Sequence, residues 1–258
     1  MDVSDAIHVA IASDRGLIRT LNQDAALSDL STGLVMVADG MGGHNSGEIA
    51  SQMATQLIQD EMSSLIAQQK NQPSQVLSIA AILQKAVKQT NDIILETALT
   101  RAVCEGMGTT LVSGVFADNK IVIGHIGDSR MYRLRNDDFV QLTEDHSLVQ
   151  AQINAGLMTK DEARYANNKH LVTRALGTTS EVALELNEYE VLVGDIYLLC
   201  SDGLTDLVDD HDIKKTIINA NRDIGLAVNA LIGIANARGG KDNISTLIAL
   251  VDKPFPLA

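Results

Sequence analysis

Residues 109–142 read TTLVSGVFADNKIVIGHIGDSRMYRLRNDDFVQL, and this stretch decides the fold class. Four runs of strand length follow one another in it: Thr109–Phe116, Lys120–Ile126, Met131–Leu134 and Phe139–Leu142. All are rich in the β-branched and aromatic residues that suit a pleated surface. The turns at Asn119-Lys120 and Asn136-Asp137-Asp138 are very short. Parallel neighbours need a crossover of a dozen residues or more, so these runs predict an antiparallel meander.

Working outward, Ile7–Ala12, Leu34–Ala38, Glu188–Val193, Ile196–Cys200 and Ile244–Val251 read as further strands, about nine in all. Two helical patterns precede the meander. Ile49, Met53, Leu57 and Ile58 share one face of the first, and Val76, Leu83, Val87 and Ile94 one face of the second. Two more follow it, Asp212–Asn219 and about Ile224–Asn236, the latter stopped by Gly239-Gly240. Antiparallel strands with paired helices before and after predict an α+β fold, two stacked sheets covered by helices on both outer faces, as one domain over residues 1–258. Ser147–Leu176 fits no strand, and Thr159-x-x-Glu162 resembles a capping box, so this segment is expected to be a helical flap.

Composition narrows the function. The 258 residues carry a formal charge of −13, and binding to a phosphate backbone needs clustered Lys and Arg, so neither nucleic acid nor an anionic membrane is an expected partner. Cys104 and Cys200 are the two cysteines, they form no C-x-x-C pair, and the first residues are acidic rather than basic; a reducing cytoplasm is expected. No apolar run approaches the ~18 residues needed to span a bilayer, so no membrane anchor is expected.

The chemistry concentrates where apolar runs end. Asp39-Gly40-Met41-Gly42-Gly43-His44 follows one strand and precedes a helix whose start is marked by Asn45-x-x-Glu48. Alone, Asp-Gly at a strand end is commonly a tight turn. A dinucleotide loop is the rival reading, but Asn45 stands where a third glycine would, and Asp39 would repel a pyrophosphate unless a cation lay between them. The pattern recurs at Gly127-Asp128-Ser129-Arg130, at Ser201-Asp202-Gly203 and at Gly239-Gly240-Lys241-Asp242-Asn243. Four carboxylates at sheet ends suit a hard cation such as Mg²⁺ or Mn²⁺, which takes oxygen ligands and keeps several waters. Arg19, five residues before Asp24, offers a planar fork of donors for a phosphate, although on its own it reads equally as a surface arginine.

In this order, and together with Met107-Gly108-Thr109-Thr110 and Thr143-x-Asp145-His146-Ser147, these residues resemble the metal-dependent protein phosphatases of the protein phosphatase 2C type, in particular their compact bacterial members. The resemblance runs from Arg19 to Asn243 and implies a β-sandwich between helical layers. It implies a protein-serine/threonine phosphatase in which Asp39 bridges two metals, joined by the Gly40 carbonyl, Asp202 and Asp242. Asp128 with Asp202 would hold a third, weaker metal, and Asp24 would act largely through bound water. Arg19 would hold the substrate phosphate, and His44 is the candidate proton donor to the leaving group, the alternative being a solvent-bonded histidine at a helix start. The flap departs from the usual pattern at Tyr165-Ala166-Asn167-Asn168-Lys169-His170, where His170 is a candidate substrate contact.

The implied chemistry is in-line attack by a water shared between two cations, without a phosphoenzyme. The implied partners are phosphorylated proteins, substrates of a bacterial Ser/Thr kinase, taken by a monomer. Rival phosphatase chemistries fail on the residues. A cysteine nucleophile needs Arg six positions on, whereas Asp206 follows Cys200 and Thr110 follows Cys104 at that spacing. Histidine-rich binuclear sites need an Asn-His-Glu that is missing, and no P-loop occurs. A scaffold that keeps the fold but has lost activity usually lacks an acid, and none is missing here.

Overall fold

The structure, a computed structural model, describes residues 2–43, 46–71, 77–163 and 166–255. Two antiparallel sheets stack face to face. The first has the order β1-β11-β10-β7-β8 and comprises β1 (Ile7–Asp14), β7 (Arg130–Arg135), β8 (Asp138–Gln141), β10 (Ile196–Cys200) and β11 (Ile244–Val251). The second has the order β2-β3-β5-β6-β9, with β4 also on β3. It comprises β2 (Asp24–Asp29), β3 (Leu34–Met41), β4 (Gly108–Thr109), β5 (Leu111–Ala117), β6 (Lys120–Ile126) and β9 (Glu185–Glu190). Helices α1 (Ser46–Asn71) and α2 (Ile79–Thr100) pair over the second sheet, and α6 (Asp210–Asn219) and α7 (Ile224–Ala237) over the first.

Side-chain alternation explains the layering. On β3, Leu34 and Met36 join Ala54, Ile58, Leu83 and Val87 beneath the first helix pair, while Val35 and Val37 point the other way. There they meet Phe116, Ile121, Tyr197, Leu199 and Leu247 between the sheets. Phe116 and Tyr197 meet edge to face with centroids 5.3 Å apart, the geometry that the ring quadrupoles favour. A third apolar layer joins Leu198, Ile248, Ile213 and Leu231 under α6 and α7. Strands buried on both faces read as continuous apolar runs, which is why β3, β10 and β11 stand out in the sequence. Burying one such side chain stabilises by roughly 1.5–3 kcal/mol, and Leu199→Ala would cost about 2–5 kcal/mol.

The hairpins follow their turn residues. Ala117 pairs with Lys120 across a two-residue loop in which Asp118 and Asn119 both take positive φ (51° and 58°). That backbone twist matches the strands it joins.

Several expectations shift. β2 was not expected, because Asp24–Asp29 lacks β-branched residues; it forms because the edge of β3 offers it a ladder. β3 runs past Ala38 to Met41, so Asp39 and Gly40 lie inside a strand, paired to Asp24 and Thr109. Thr109–Phe116 splits at Thr110, whose side chain bonds the β3 backbone. The strand expected at Glu188–Val193 lies at Glu185–Glu190, leaving Leu192 and Val193 exposed. Val76 falls outside the described residues.

The flap is helical as expected. α3 (Leu148–Asn154) is capped by Ser147, and α4 (Lys160–Ala163) by the reciprocal Thr159 and Glu162 bonds. Its neck is closed by the Ser147 and Val172 bridge. Among the described residues no helix is long and apolar enough to cross a membrane.

Candidate metal centre

The antiparallel order brings the starts of β2 and β11 and the ends of β3, β6 and β10 to one edge of the sandwich, each bearing an aspartate. Asp24 opens β2 directly opposite Asp39 on β3. Asp128 follows β6, Asp202 opens the short helix α5 (Asp202–Thr205) behind β10, and Asp242 precedes β11. The strand ends are fixed by side-chain bonds. Thr110 Oγ1 accepts the Asp39 N–H at 2.9 Å and pairs with Ser129 Oγ at 2.8 Å. Ser201 Oγ donates to Asp24 Oδ2 at 2.7 Å and accepts the Ser245 N–H at 2.9 Å.

Electrostatically the cluster is unbalanced. Burial, and then the charges of Asp24, Asp202, Asp128 and Asp242, hold the Asp39 carboxyl well above its ordinary range. Burial, followed by Asp128 and Asp206, does the same to Asp202. Asp24 is raised to about 6, chiefly by burial against the opposing bond from Ser201. Asp128 is raised to about 7 by burial and the charge of Asp145. Asp24 Oδ1 and Asp202 Oδ1 are buried without a hydrogen-bond partner. Buried carboxylate oxygens that lack partners and repel one another are the donor set of a hard cation, whose charge cancels the repulsion. The residues present therefore fit divalent metal.

Gly40 belongs to this edge for steric reasons, since a Cβ there would overlap the Gly47 carbonyl at the start of α1. Arg19 reaches the cluster from the 15–23 loop, its Nη2 donating to Asp242 Oδ2 at 2.7 Å with both side chains partly exposed. His44 lies outside the described residues. His170 sits exposed at the end of the flap turn 167–170, whereas its neighbour Lys169 pairs with Asp206 at 2.9 Å. A cavity of about 370 Å³ adjoins the cluster, sharing Asp128 and Asp202 and lined also by Arg130, Asp145, Lys169 and Asp206.

Sequence reasoning passed over several members. Asp206 lies one helical turn after Asp202, a spacing that could have signalled it. Asn243 was legible only as part of a motif, yet it anchors the Arg19 loop: Nδ2 donates to Arg15 O (2.9 Å) and Leu21 O (2.8 Å), and Oδ1 accepts the Gln23 N–H (2.8 Å).

His125, His146 and Glu185 also bring ligand-capable atoms within 4.8 Å of one another, at the base of the flap. The geometry suits hydrogen bonding better than an ion. His146 Nδ1 accepts the Gly127 N–H at 3.2 Å, and its Nε2 lies 3.4 Å from Glu185 Oε2 and 3.2 Å from Arg174 Nη1, a cation already beside the ring. The two rings stack at 4.5 Å and 19°, so no single ion lies in both ring planes.

The chain is similar to known phosphatases along most of its length. A sequence profile described as Protein phosphatase 2C matches residues 19–223. The serine/threonine phosphatase stp of Listeria innocua is 36% identical over 248 residues, covering 94% of this chain and 95% of its own length. The crystal structure of the Mycobacterium tuberculosis serine/threonine phosphatase PstP/Ppp superposes with a TM-score of 0.86 at 35% identity, covering 96% of this chain and 100% of that one. The PstP catalytic domain in complex with two manganese ions gives a TM-score of 0.84 at 35% identity, with 96% and 99% covered.

Proposed function

The chain belongs to the protein phosphatase 2C family and is a protein-serine/threonine phosphatase, and on that premise we propose how it works and on what. Asp39, the Gly40 carbonyl, Asp202 and Asp242 would hold two divalent cations, Mn²⁺ or Mg²⁺; Asp128 with Asp202 would hold a third more loosely, and Asp24 would act largely through water. The observation that carries this reading is the Asp39 carboxyl, repelled by four other aspartates at one sheet edge. Bound there, such cations supply a water acidic enough to attack at neutral pH and neutralise phosphoryl oxygens.

The protein's own tasks are orientation and proton delivery. Arg19, held beside Asp242, presents its fork to the phosphate of the substrate and sets the phosphorus at the carboxylate edge. His44 donates a proton to the departing seryl or threonyl oxygen. His170, on the flap, touches the bound protein. The substrates are proteins phosphorylated by a bacterial Ser/Thr kinase, met in the cytoplasm by a monomer. The net charge of −13 disfavours nucleic acid and anionic membranes as partners.

The test is hydrolysis of p-nitrophenyl phosphate and of a phosphothreonine peptide in Mn²⁺, Mg²⁺ and EDTA. Both substrates should turn over with either metal and neither in EDTA. Turnover that survives EDTA would overturn the metal assignment.

A further inference from the structure

The loop that carries Arg19 is held rigidly. Gly240 O accepts the N–H groups of Leu17 (2.7 Å) and Ile18 (3.3 Å), and Asn243 clasps Arg15, Leu21 and Gln23. Gly16 takes φ +76°, and a Cβ there would run into the Asp242 carbonyl, so the backbone of the loop is packed against the backbone of the site. On this frame Leu17 is 64% exposed, Ile18 69% and Leu21 37%. A single exposed apolar residue is ordinary. These three bracket Arg19 within a few residues, and the bonds to Gly240 and Asn243 keep them from turning inward. The surface beside the phosphate clamp is thus apolar and preorganised in a chain that is otherwise strongly acidic.

We propose that Leu17 and Ile18 are specificity-determining residues, an apolar platform beside Arg19 on which a side chain next to the phosphorylated residue packs. The inference rests on the phosphatase reading and adds a substrate class: phosphoserine or phosphothreonine flanked by Leu, Ile, Val or Met rather than by Ser or Asp. Arg19 fixes the phosphate, so the neighbouring substrate residues must pass over the same loop. Covering Leu17 and Ile18 there removes apolar surface from water without ordering the loop, whose conformation is already set. An apolar contact on an open platform gives discrimination at the low end of that seen in closed pockets, ~10-fold.

The experiment compares two phosphothreonine peptides, identical except for Leu or Ser on both sides of the phosphothreonine, with saturating Mn²⁺. Each kcat/KM is divided by that for p-nitrophenyl phosphate, which has no flanking residues, so that general loss of activity cancels. Wild type should favour the Leu-flanked peptide ~10-fold, and Leu17→Ser/Ile18→Ser should bring the ratio to ~1. The Leu17 side chain lies against Gly240, so its loss could disturb the loop; Ile18→Ser alone should still reduce the preference severalfold. Hydrolysis of all substrates without regard to the flank, or a preference that persists in both variants, overturns the platform and leaves the phosphatase reading standing. Failure to hydrolyse any of the three with Mn²⁺ overturns both.

Discussion

Asp24 stands directly opposite Asp39 across the antiparallel β2–β3 ladder, so a buried and a half-buried carboxyl group face one another at the end of a sheet. The consequence is a pH-dependent stability that metal should reverse. Folded Asp24 and Asp128 bind protons up to about 6 and about 7, against 3.8 for the ordinary group. For a pKa raised by folding, the stabilising contribution is fully present below the unfolded value and is lost as pH rises through the folded one. The metal-free protein should therefore lose stability from these groups between about pH 4 and 7, where cations gain deprotonated ligands. The Tm difference between saturating Mn²⁺ and EDTA should be small near pH 5 and grow steadily towards pH 7.5. A difference constant across that range in thermal unfolding would contradict the assignment.

Asp202 offers the converse test. Its Oδ1 is buried without a partner and its charge is opposed by Asp128, Asp206 and Asp242. Asp202→Asn keeps the shape and removes one of the repelling charges. In EDTA the variant should be more stable than wild type by ~1 kcal/mol, about 2–4 °C in Tm for a chain of this size. In Mn²⁺ it should lose at least ~100-fold in metal affinity and most of its turnover. Calorimetry with and without metal separates the two effects, and an Asn variant less stable in EDTA would count against a cluster strained by its own charge.

Arg19 is half exposed, so its bond to Asp242 contributes little to stability. Its value should appear in kinetics. A charge-assisted bond to phosphate is worth about 1.5–3 kcal/mol, so Arg19→Ala should lower kcat/KM by ~10–100-fold with Tm nearly unchanged. Arg19→Lys should recover only part, because an ammonium cannot make the two parallel bonds of the guanidinium. A lysine variant equal to wild type would exclude bidentate capture.

His44 is tested through the leaving group. A seryl or threonyl alkoxide needs a proton as it departs, whereas p-nitrophenolate does not, and general acid catalysis is typically worth ~10²–10⁴-fold. His44→Ala should therefore slow the phosphothreonine peptide by that order and p-nitrophenyl phosphate far less, provided chemistry limits both. Equal losses would assign the proton to solvent.

Local pattern carried most of the architecture. Strands buried on both faces, such as Leu34–Ala38 within β3 and Ile244–Val251, announce themselves by apolar composition, while the turn expected at Asn119-Lys120 lies one residue earlier, at Asp118-Asn119. The two edge strands of the second sheet, β2 and β9, are less legible. Asp24–Asp29 and Glu185–Glu190 are half polar, and they are strands because β3 and β6 present open ladders to them, a tertiary fact. Asp39, Asp128, Asp202 and Asp242 were legible because each follows or precedes an apolar run, whereas Asp24, and the role of every one of them, came from the family resemblance. Ser201 and Asn243 were not legible as anchors, since their partners Asp24 and Gln23 lie 177 and 220 residues away along the chain.

Asn243 supplies the sharpest test of how the loop and the site are joined. It is buried and satisfies three backbone groups, the Gln23 N–H and the carbonyls of Arg15 and Leu21. Asn243→Ala leaves them to find water or stay unpaired, at about 1–3 kcal/mol for each buried group. Partial hydration should hold the total to about 2–4 kcal/mol, read as a lower Tm in EDTA. Asn243→Asp keeps the acceptor for Gln23 but turns a second carboxylate onto two carbonyl oxygens beside Asp242, so it should be no better than alanine. The kinetic consequence follows from Arg19 riding on the same loop. With the clasp gone, the guanidinium loses its fixed place, so Arg19→Ala in the Asn243→Ala background should cost much less than in wild type. Measuring kcat/KM on the phosphothreonine peptide for both single variants and the double decides it. Strictly additive losses would mean that Asn243 stabilises the fold without positioning Arg19.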